Sequence, residues 1–277
     1  MTRVAAVDLG TNSTRLLVAD VNGGGLDEVS RKLTITRLGE GVDKRRRLLP
    51  VPIARVRNCL TAYRQELEAL GAERTLCIAT SSVRDAENGE AFLGEIEWSY
   101  GFTTRLLTGE DEAAMMIRGV TAGRPPLDDV LVVDIGGGST ELVVAASREV
   151  AFTTSLDVGC VRLTERFLTS DPATRSELAA ASAYVRSLLP ELSAASAIGV
   201  AGTVTTLATI DLGDGEYDPA RTHGHRLSQA SVEQQLDRLA AMTTEERLGV
   251  AGMEAGRASV IVAGVVVLRE VMTAYGL

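Results

Sequence analysis

The sequence predicts an α/β protein built from two similar domains. The first observation is an internal duplication: residues 7–19 and 133–145 both contain the pattern Asp-x-Gly-x-x-Ser-Thr between apolar runs. The second is that strand-like apolar runs alternate with segments of helical spacing in both halves of the chain. The third is a hydrophobic content of 45% in 277 residues, which is ample for two cores and argues against disorder.

The first half is predicted to begin with a hairpin and to continue as alternating strands and helices. Glycines at positions 71 and 101 follow two helical segments and are typical of helix ends. The predicted elements are strands 3–9, 15–21 and 29–38, helix 53–70, strand 75–80, helix 88–100, strand 103–107 and helix 109–119.

The segment Gly123-Arg124-Pro125-Pro126 breaks the pattern and is the predicted boundary between domains 1–122 and 123–277. The second half is again predicted to begin with a hairpin and to alternate. Its predicted elements are hairpin 131–145, strand 152–156, helices 161–168 and 176–188, strand 197–200, helix 228–242, a short helix from 244, and helix 258–275.

Composition restricts the classes of function. The chain has no N-terminal signal-peptide pattern and no apolar run long enough to span a bilayer, so a cytoplasmic protein without a membrane partner is expected. A net charge of −9 argues against a nucleic-acid-binding surface. The basic run Lys44–Arg47 has two interpretations, a solvated loop or a rim that attracts a long polyanion.

The duplicated turns are candidate phosphate-binding sites. Glycine allows backbone N–H groups to converge on an anion, and serine and threonine hydroxyls add donors. Two such turns facing each other would hold a phosphate chain from both sides. The candidate phosphate-binding residues are Gly10, Thr11, Asn12 and Ser13 in the first turn and Gly136, Gly137, Gly138, Ser139 and Thr140 in the second. Asp8 and Asp134 end the preceding strands, where a carboxylate is suited to a divalent cation.

These motifs resemble the two phosphate motifs of the acetate kinase, sugar kinase, Hsp70 and actin superfamily. Within it, the chain is most similar to the exopolyphosphatase / guanosine pentaphosphate phosphohydrolase family, in its short two-domain form. The blocks that carry this likeness include residues 8–13, 80–88, 108–113, 134–141 and 200–203. The resemblance implies two ribonuclease H-like (actin-like ATPase) domains with an active-site cleft between them.

The resemblance also assigns roles that the residues alone leave open. From sequence, Glu112 is either a base that activates water or one of three acidic residues complementing a helix N-terminus. Arg84 is either a phosphate ligand or a surface ion-pair partner of Asp85 or Glu87. The resemblance favours catalysis for Glu112 and phosphate binding for Arg84. We expect Glu110 and Asp111 to crowd Glu112 and raise its pKa.

Three further residues complete the predicted site. Glu141 is expected to pair with Arg15, its counterpart in the duplication, or to help Asp8 and Asp134 hold a metal. Gly202 and Thr203 follow an apolar strand, and they form either a phosphate-contacting turn or an ordinary strand-to-helix turn. The resemblance implies Mg²⁺ as cofactor, with another divalent ion, or a monovalent ion, as alternatives.

The sequence therefore predicts an exopolyphosphatase that releases orthophosphate from the end of inorganic polyphosphate. Guanosine pentaphosphate 5′-phosphohydrolase activity requires the same residues and is the nearest alternative. A sugar or acyl kinase, and a nucleotide- or alarmone-binding regulator without catalysis, are more distant ones. The resemblance implies a homodimer. In the segment Gly256–Ser259, Ser259 stands where relatives carry aspartate, which leaves the contribution of that position open.

Overall fold

The computed structural model describes residues 2–22, 25–122, 127–146 and 149–277. It divides into two compact units, Met1–Asp111 and Glu112–Leu277, which are described separately. No helix among the described residues is both long and apolar enough to cross a membrane. The predicted boundary segment at residues 123–126 lies outside the described residues.

The first unit is a five-stranded mixed sheet with helices. Its strands are β1 (Thr2–Leu9), β2 (Ser13–Asn22), β3 (Gly25–Ile35), β4 (Arg74–Ala79) and β5 (Thr103–Leu106). The sheet order is β3-β2-β1-β4-β5; β1 to β3 are antiparallel, and β4 and β5 run parallel to β1. The helices are α1 (Val42–Arg45), α2 (Pro50–Leu70), α3 (Ser81–Arg84) and α4 (Gly89–Tyr100).

The core of the first unit lies between the sheet and helices α2 and α4. Alternate residues of β1, such as Val7 and Leu9, are fully buried against helix residues such as Leu60 and Ile96. Helix α2 starts at a proline, which suits the first helical turn, and both helices end at a glycine with positive φ. These features hold the loops after β1 and β4 at one end of the sheet.

The second unit begins within helix α5 (Gly109–Thr121) and contains a four-stranded sheet. Its strands are β6 (Val130–Ile135), β7 (Thr140–Ala146), β8 (Glu149–Leu156) and β9 (Ser196–Val200), in the order β8-β7-β6-β9. The helices that follow are α6 (Cys160–Phe167), α7 (Arg175–Leu188), α8 (Ala201–Asp211), α9 (Pro219–Thr222), α10 (Gln229–Ala240), α11 (Thr244–Leu248) and α12 (Ile261–Tyr275). Helix α12 is buried along most of its length in the core.

The two sheets repeat one arrangement, so the predicted α/β class and the ribonuclease H-like architecture are confirmed. In each unit an antiparallel hairpin is followed by a third antiparallel strand, and a parallel strand pairs with the first strand. Asp8 pairs in register with Arg15, and Asp134 pairs with Glu141 at the equivalent point. The duplication in sequence is therefore a duplication of structure.

The structure differs from the sequence prediction in several places. Helices α1, α3 and α8 were not expected, so Lys44 and Arg45 lie in a one-turn helix rather than a loop, and Gly202 lies in the first turn of α8. The division between units falls before Glu112, whereas the prediction placed the whole of α5 in the first domain.

The packing of α5 explains the different division. Met116, Ile117 and Val120 pack with Val132 and Val143 of the second sheet. The composition of the Gly-Pro segment marks a break in the chain, but apolar packing assigns the helix before it to the second unit.

Candidate active site

Both duplicated turns are closed by the same hydrogen bond. The N–H of Gly10 donates to the carbonyl of Ser13 at 3.0 Å, and the N–H of Gly136 donates to the carbonyl of Ser139 at 3.0 Å. A Cβ on either glycine would lie 3.0 or 3.1 Å from that same carbonyl oxygen. The two turns are therefore tight loops in which the missing side chain allows the close approach.

The carbonyl groups of the first turn accept hydrogen bonds from residues 36–39, the segment that follows β3. The carbonyl of Thr11 accepts from the N–H of Gly39 at 2.8 Å, and that of Asn12 accepts from Thr36 and Arg37 at 3.1 and 2.9 Å. A Cβ on Gly39 would lie 2.2 Å from the Thr11 side chain, so this approach requires glycine. This support was not expected from the sequence. Gly39 and Gly41 are the residues that could have indicated it, since they allow a close turn after β3.

The carbonyl groups of the second turn are bonded by the start of α6. The N–H groups of Cys160 and Arg162 donate to the carbonyls of Gly136 and Gly137, respectively, at 2.9 and 3.1 Å. The Arg162 Nε donates to the carbonyl of Gly138 at 2.7 Å, and this arginine is buried. A different element thus gives the second turn the support that residues 36–39 give the first.

This arrangement leaves backbone N–H groups in both turns for an anion. Among the described residues, the N–H groups of Thr11, Asn12, Gly137 and Gly138 have no hydrogen-bond acceptor. An unbonded N–H in a buried site costs free energy that a bound anion recovers. A turn whose carbonyl groups already accept hydrogen bonds, and whose N–H groups do not donate any, is suited to bind phosphate oxygens.

Unbonded polar side-chain atoms are concentrated beside the first turn. The amide nitrogen and oxygen of Asn12 and the hydroxyl of Ser82 are buried and have no hydrogen-bond partner in the described part of the chain. Ser81, the first residue of α3, shares a 3.0 Å hydrogen bond with the Thr11 hydroxyl. Helix α3 therefore places the predicted arginine block against the first phosphate turn.

Arg84 ends α3 and is held against the end of the sheet. Its Nη1 donates to the carbonyl of Leu107 at 2.8 Å. Leu107 immediately precedes the Thr108–Glu112 segment, so one arginine connects two of the predicted family blocks. The side chain is half-buried, and its fixed position suits a phosphate ligand.

Asp8 and Arg15 form an ion pair across the first hairpin. Arg15 Nη1 lies 3.6 Å from Asp8 Oδ2, so the arginine that was expected beside Glu141 contacts its own strand partner. Burial raises the pKa of Asp8, and the charge of Arg15 partly opposes that rise. Asp8 Oδ1 is buried without a partner, which leaves an oxygen for a cation or a water molecule.

Glu141 lies near negative charges, whereas Asp8 lies near the positive charge of Arg15. Its side chain is 3% exposed and accepts a hydrogen bond from the Ser155 hydroxyl at 2.8 Å. Burial raises its pKa to about 8, and the negative charges of Glu112 and Asp134 add to the effect. An arginine in the first hairpin is thus replaced by a buried acid in the second, which is neutral near pH 7 unless a cation compensates its charge.

The acidic residues at the start of α5 have different surroundings. The carboxylate of Asp111 accepts hydrogen bonds from the Thr108 N–H and hydroxyl and from Arg105, and the Thr108 bonds in particular lower its pKa. Glu110 is exposed. Glu112 instead interacts electrostatically with buried Glu141. Glu141 was not expected as a neighbour of Glu112, because packing of α5 against the second sheet rather than chain adjacency brings the two together.

Metal binding by the acidic residues of the second unit stays a prediction. No group of three or more His, Cys, Asp or Glu side chains in the described part of the chain is arranged to hold a metal ion by itself. The second unit nevertheless brings Glu112, Asp134 and Glu141 near enough to raise the pKa of Glu141. Magnesium commonly binds through one or two carboxylates, with water and phosphate oxygens as the remaining ligands.

Gly202 lies against a buried arginine that the sequence analysis assigned no role. A Cβ on Gly202 would lie 1.9 Å from Cζ of Arg257, so the guanidinium covers the first turn of α8. Arg257 is buried, and its Nε pairs with Glu254 at 2.6 Å. The positive φ of 66° belongs to Ala201 rather than to the glycine. The sequence signal for Arg257 was its position in the Gly256–Ser259 block.

Two of the predicted phosphate-binding threonines are engaged within the protein. The Thr140 hydroxyl donates to the carbonyl of Val158 at 2.6 Å. The Thr203 side chain packs against Gly264, where a Cβ would lie 2.4 Å from the Thr203 hydroxyl oxygen. Both side chains are buried. They hold the turn and helix α8 in position, and phosphate binding by their hydroxyls stays a prediction.

The predicted site residues thus form a group in each unit. The first unit brings together Asp8, residues 10–13 and Arg84. The second brings Glu112 near Asp134 and Glu141, and it places residues 136–140 beside the start of α6. The predicted cleft between the domains stays a prediction.

Known proteins resemble this chain over most of its length. A model of the Ppx/GppA phosphatase family matches residues 17–276. The chain is 41% identical to "Exopolyphosphatase 2" of Mycobacterium tuberculosis, over 98% of this chain and 90% of that protein. It is 28% identical to a guanosine-5'-triphosphate,3'-diphosphate pyrophosphatase of Aeromonas salmonicida, over 95% of this chain and 53% of that protein.

Solved structures show the same fold. An exopolyphosphatase-like protein superposes with a TM-score of 0.89 at 34% identity, over 98% of this chain and 88% of that one. The Ppx/GppA family member of Aquifex aeolicus superposes with a TM-score of 0.81 at 30% identity, over 99% of this chain and 91% of that one.

Proposed function

The chain belongs to the Ppx/GppA phosphatase family, and we propose that it is an exopolyphosphatase that removes the terminal phosphate of inorganic polyphosphate. The observation that carries the proposal is the pair of turns whose backbone N–H groups are left for an anion, in a chain 41% identical to an exopolyphosphatase. In each unit these N–H groups bind phosphate oxygens. Arg84 adds a planar, permanently charged donor in the first unit.

Glu112 is the proposed catalytic base. It accepts a proton from a water molecule as the water oxygen attacks the terminal phosphorus, and the bond from that phosphorus to the bridging oxygen breaks. Orthophosphate and a chain shortened by one phosphate are the products. Asp8, Asp134 and Glu141 would hold Mg²⁺, which when bound neutralises phosphate charge.

The proposal is tested by phosphate release with Mg²⁺ present. Wild type should release orthophosphate from polyphosphate, and Glu112→Gln should reduce kcat by about 10²- to 10⁴-fold, the usual contribution of a positioned base. Glu110→Gln, one residue from the start of the same helix and exposed, is the matched control and should keep wild-type activity. A wild type that releases no phosphate, or a Glu112→Gln variant as active as wild type, would sink the proposal.

Hydrolysis of the 5′-phosphate of guanosine pentaphosphate is the second candidate. It is favoured by the pyrophosphatase relative, of whose length the chain spans about half. The same turns and the same base would serve either substrate. Assays of both substrates under the same conditions distinguish the two candidates. A higher kcat/KM for guanosine pentaphosphate than for polyphosphate would replace the first candidate by the second. Acceptor-dependent ATP turnover would indicate a kinase, and tight binding without turnover a regulator.

We also propose that the protein acts in the cytoplasm as a homodimer, with no nucleic-acid or membrane partner. The net charge of −9 supports the absence of a nucleic-acid partner. Light scattering of the purified protein tests the oligomeric state. A monomer at all accessible concentrations would contradict the dimer.

A further inference from the structure

A group of exposed cations is linked by backbone hydrogen bonds to the first turn. Residues Lys44–Arg47 are all exposed, and we call them the basic segment. Arg37, also exposed, donates its N–H to the carbonyl of Asn12 at 2.9 Å. The protein as a whole carries a net charge of −9, so this local concentration of positive charge runs against its overall charge.

The basic segment is tied to the first turn by successive hydrogen bonds. Gly39, bonded to the carbonyl of Thr11, accepts from the N–H of Val42 at 3.1 Å. The carbonyl of Val42 in turn accepts from the N–H of Arg46 at 2.8 Å. Val42 is 3% exposed, so an apolar side chain anchors this end of the segment in the core.

The other end of the basic segment is tied to the block that contains Arg84. The carbonyl of Arg46 accepts from the N–H of Glu87 at 2.8 Å. Asn88 forms two hydrogen bonds with the backbone of Leu48, at 2.8 and 3.1 Å, and Leu48 is 1% exposed. The segment is therefore a short bridge between the first turn and the Arg84 block, fixed at both ends.

The cations of the basic segment have no ion-pair partner among the described residues, unlike most cations of the first unit. Arg3, Arg15, Arg31, Lys32, Arg55, Arg57, Arg64 and Arg105 all form ion pairs. Arg46 also adopts a positive φ of 53°, which costs free energy for a residue other than glycine. Of the two interpretations that the sequence allows, a strained and anchored run of cations without ion pairs in the described part of the chain favours a rim that attracts a polyanion over a solvated loop.

We propose that the basic segment, with Arg37, binds the phosphates of a long polyphosphate chain that lie beyond the terminal phosphates held at the first turn and Arg84. The inference rests on the proposed function, since it assumes a linear polyanion as substrate. It adds that the segment selects chain length: a long chain reaches the segment, and tripolyphosphate ends before it. Binding by exposed cations is screened by salt, so this contribution weakens as ionic strength rises.

The test compares two variants with the same change in charge. In the first, Lys44, Arg45 and Arg47 become Gln and Arg46 becomes Asn, a residue that tolerates positive φ. In the control, four exposed cations outside the basic segment, Arg74, Arg175, Arg226 and Arg238, become Gln. Assays measure kcat and KM on long-chain polyphosphate and on tripolyphosphate across a range of salt concentrations, and melting curves check folding.

The segment variant should show a KM for long-chain polyphosphate raised about tenfold or more, with kcat and the tripolyphosphate constants near wild type. Its dependence of kcat/KM on salt should be shallower than that of wild type. The control variant should resemble wild type in all of these. An unchanged KM for long chains, an equal loss on tripolyphosphate, or an equal effect in the control would overturn the inference.

A binding measurement separates this inference from the proposed function. Fluorescently labelled long-chain polyphosphate should bind the segment variant about tenfold more weakly than wild type, whether or not either protein hydrolyses it. If wild type releases no phosphate but shows this difference, the proposed hydrolysis fails and the binding segment stands. Equal binding by the two proteins would overturn the segment while leaving hydrolysis intact.

Discussion

At the scale of residues, the two duplicated turns share a backbone design and differ in charge. In both, carbonyl groups accept hydrogen bonds from a neighbouring segment, and N–H groups have no acceptor among the described residues. Across the first hairpin Asp8 faces Arg15, whereas across the second Asp134 faces Glu141. The first hairpin thus pairs an acid with a cation, whereas the second pairs two acids, and burial and neighbouring charges disfavour the charged form of Glu141 unless a cation compensates it.

A prediction at Glu141 follows from this difference. Glu141→Gln should leave the free energy of unfolding without divalent cations unchanged or higher, because it removes an acid whose pKa is raised to about 8 by burial and, in addition, by neighbouring negative charges. The variant should lose much of the rise in melting temperature that Mg²⁺ gives wild type. Thermal melts with and without Mg²⁺ measure both. Glu110→Gln should show the wild-type response, and a Glu141→Gln variant that keeps the full response would contradict the metal assignment.

Gly159 gives a second residue-scale prediction. A Cβ there would lie 2.5 Å from the Gly137 carbonyl carbon, so Gly159→Ala must displace either the second turn or the start of α6. The expected cost is about 1–3 kcal/mol of stability, measured by urea unfolding, together with a loss of activity. Gly94→Ala, in helix α4 with no atom within 4 Å of the new Cβ, is the control and should be neutral or stabilising. Wild-type stability and activity in Gly159→Ala would contradict the proposed packing.

At the scale of elements, the sequence predicted the regular strands and longer helices well, because apolar periodicity and terminal glycines determine them. It missed α3, whose short Thr80-Ser81-Ser82 start favours caps and turns over helix interiors. It also missed α8, which is rich in threonine and begins at Ala201, a residue with positive φ. These two helices carry the candidate site residues Arg84 and Thr203, so the sequence located the candidate residues but not the helices that hold them.

Helix α7 provides a prediction of pH dependence. Glu177 lies in the first turn of α7 and accepts hydrogen bonds from Thr174, Thr169 and Ser170, and those from Thr174 and Thr169 lower its pKa from 4.5 to about 2. Since the pKa is lowered on folding, this stabilisation is present above pH 4.5 and is lost as pH falls through about 2. Glu177→Gln should therefore be less stable than wild type at neutral pH, with the difference shrinking towards pH 2.

Urea unfolding of both proteins across this pH range is the measurement. Glu73→Gln is the control, because Glu73 is exposed and its side chain forms no hydrogen bond in the described part of the chain. A constant difference between wild type and Glu177→Gln at all pH values would show that the charge of Glu177 does not contribute.

At the scale of the whole molecule, the duplication was visible in sequence, but the assignment of the connecting helix was not. The Gly-Pro segment after α5 suggested that the helix belongs to the first domain. Packing instead joins it to the second sheet, and this places Glu112 in the unit that contains Asp134 and Glu141. The difference matters for function, since the proposed base and the acids near it then belong to one unit.

This assignment predicts which unit loses stability when α5 is weakened. Ile117→Ala removes apolar contacts with the second sheet, so hydrogen exchange should accelerate in β6 and β7 while β1 and β4 keep their protection. The expected loss is about 1–2 kcal/mol, because Ile117 is only partly buried. Arg118→Ala, an exposed position on the same helix, should change neither region. If Ile117→Ala instead accelerated exchange in β1 and β4, α5 would belong to the first unit and Glu112 would be separated from Glu141 in the folding unit.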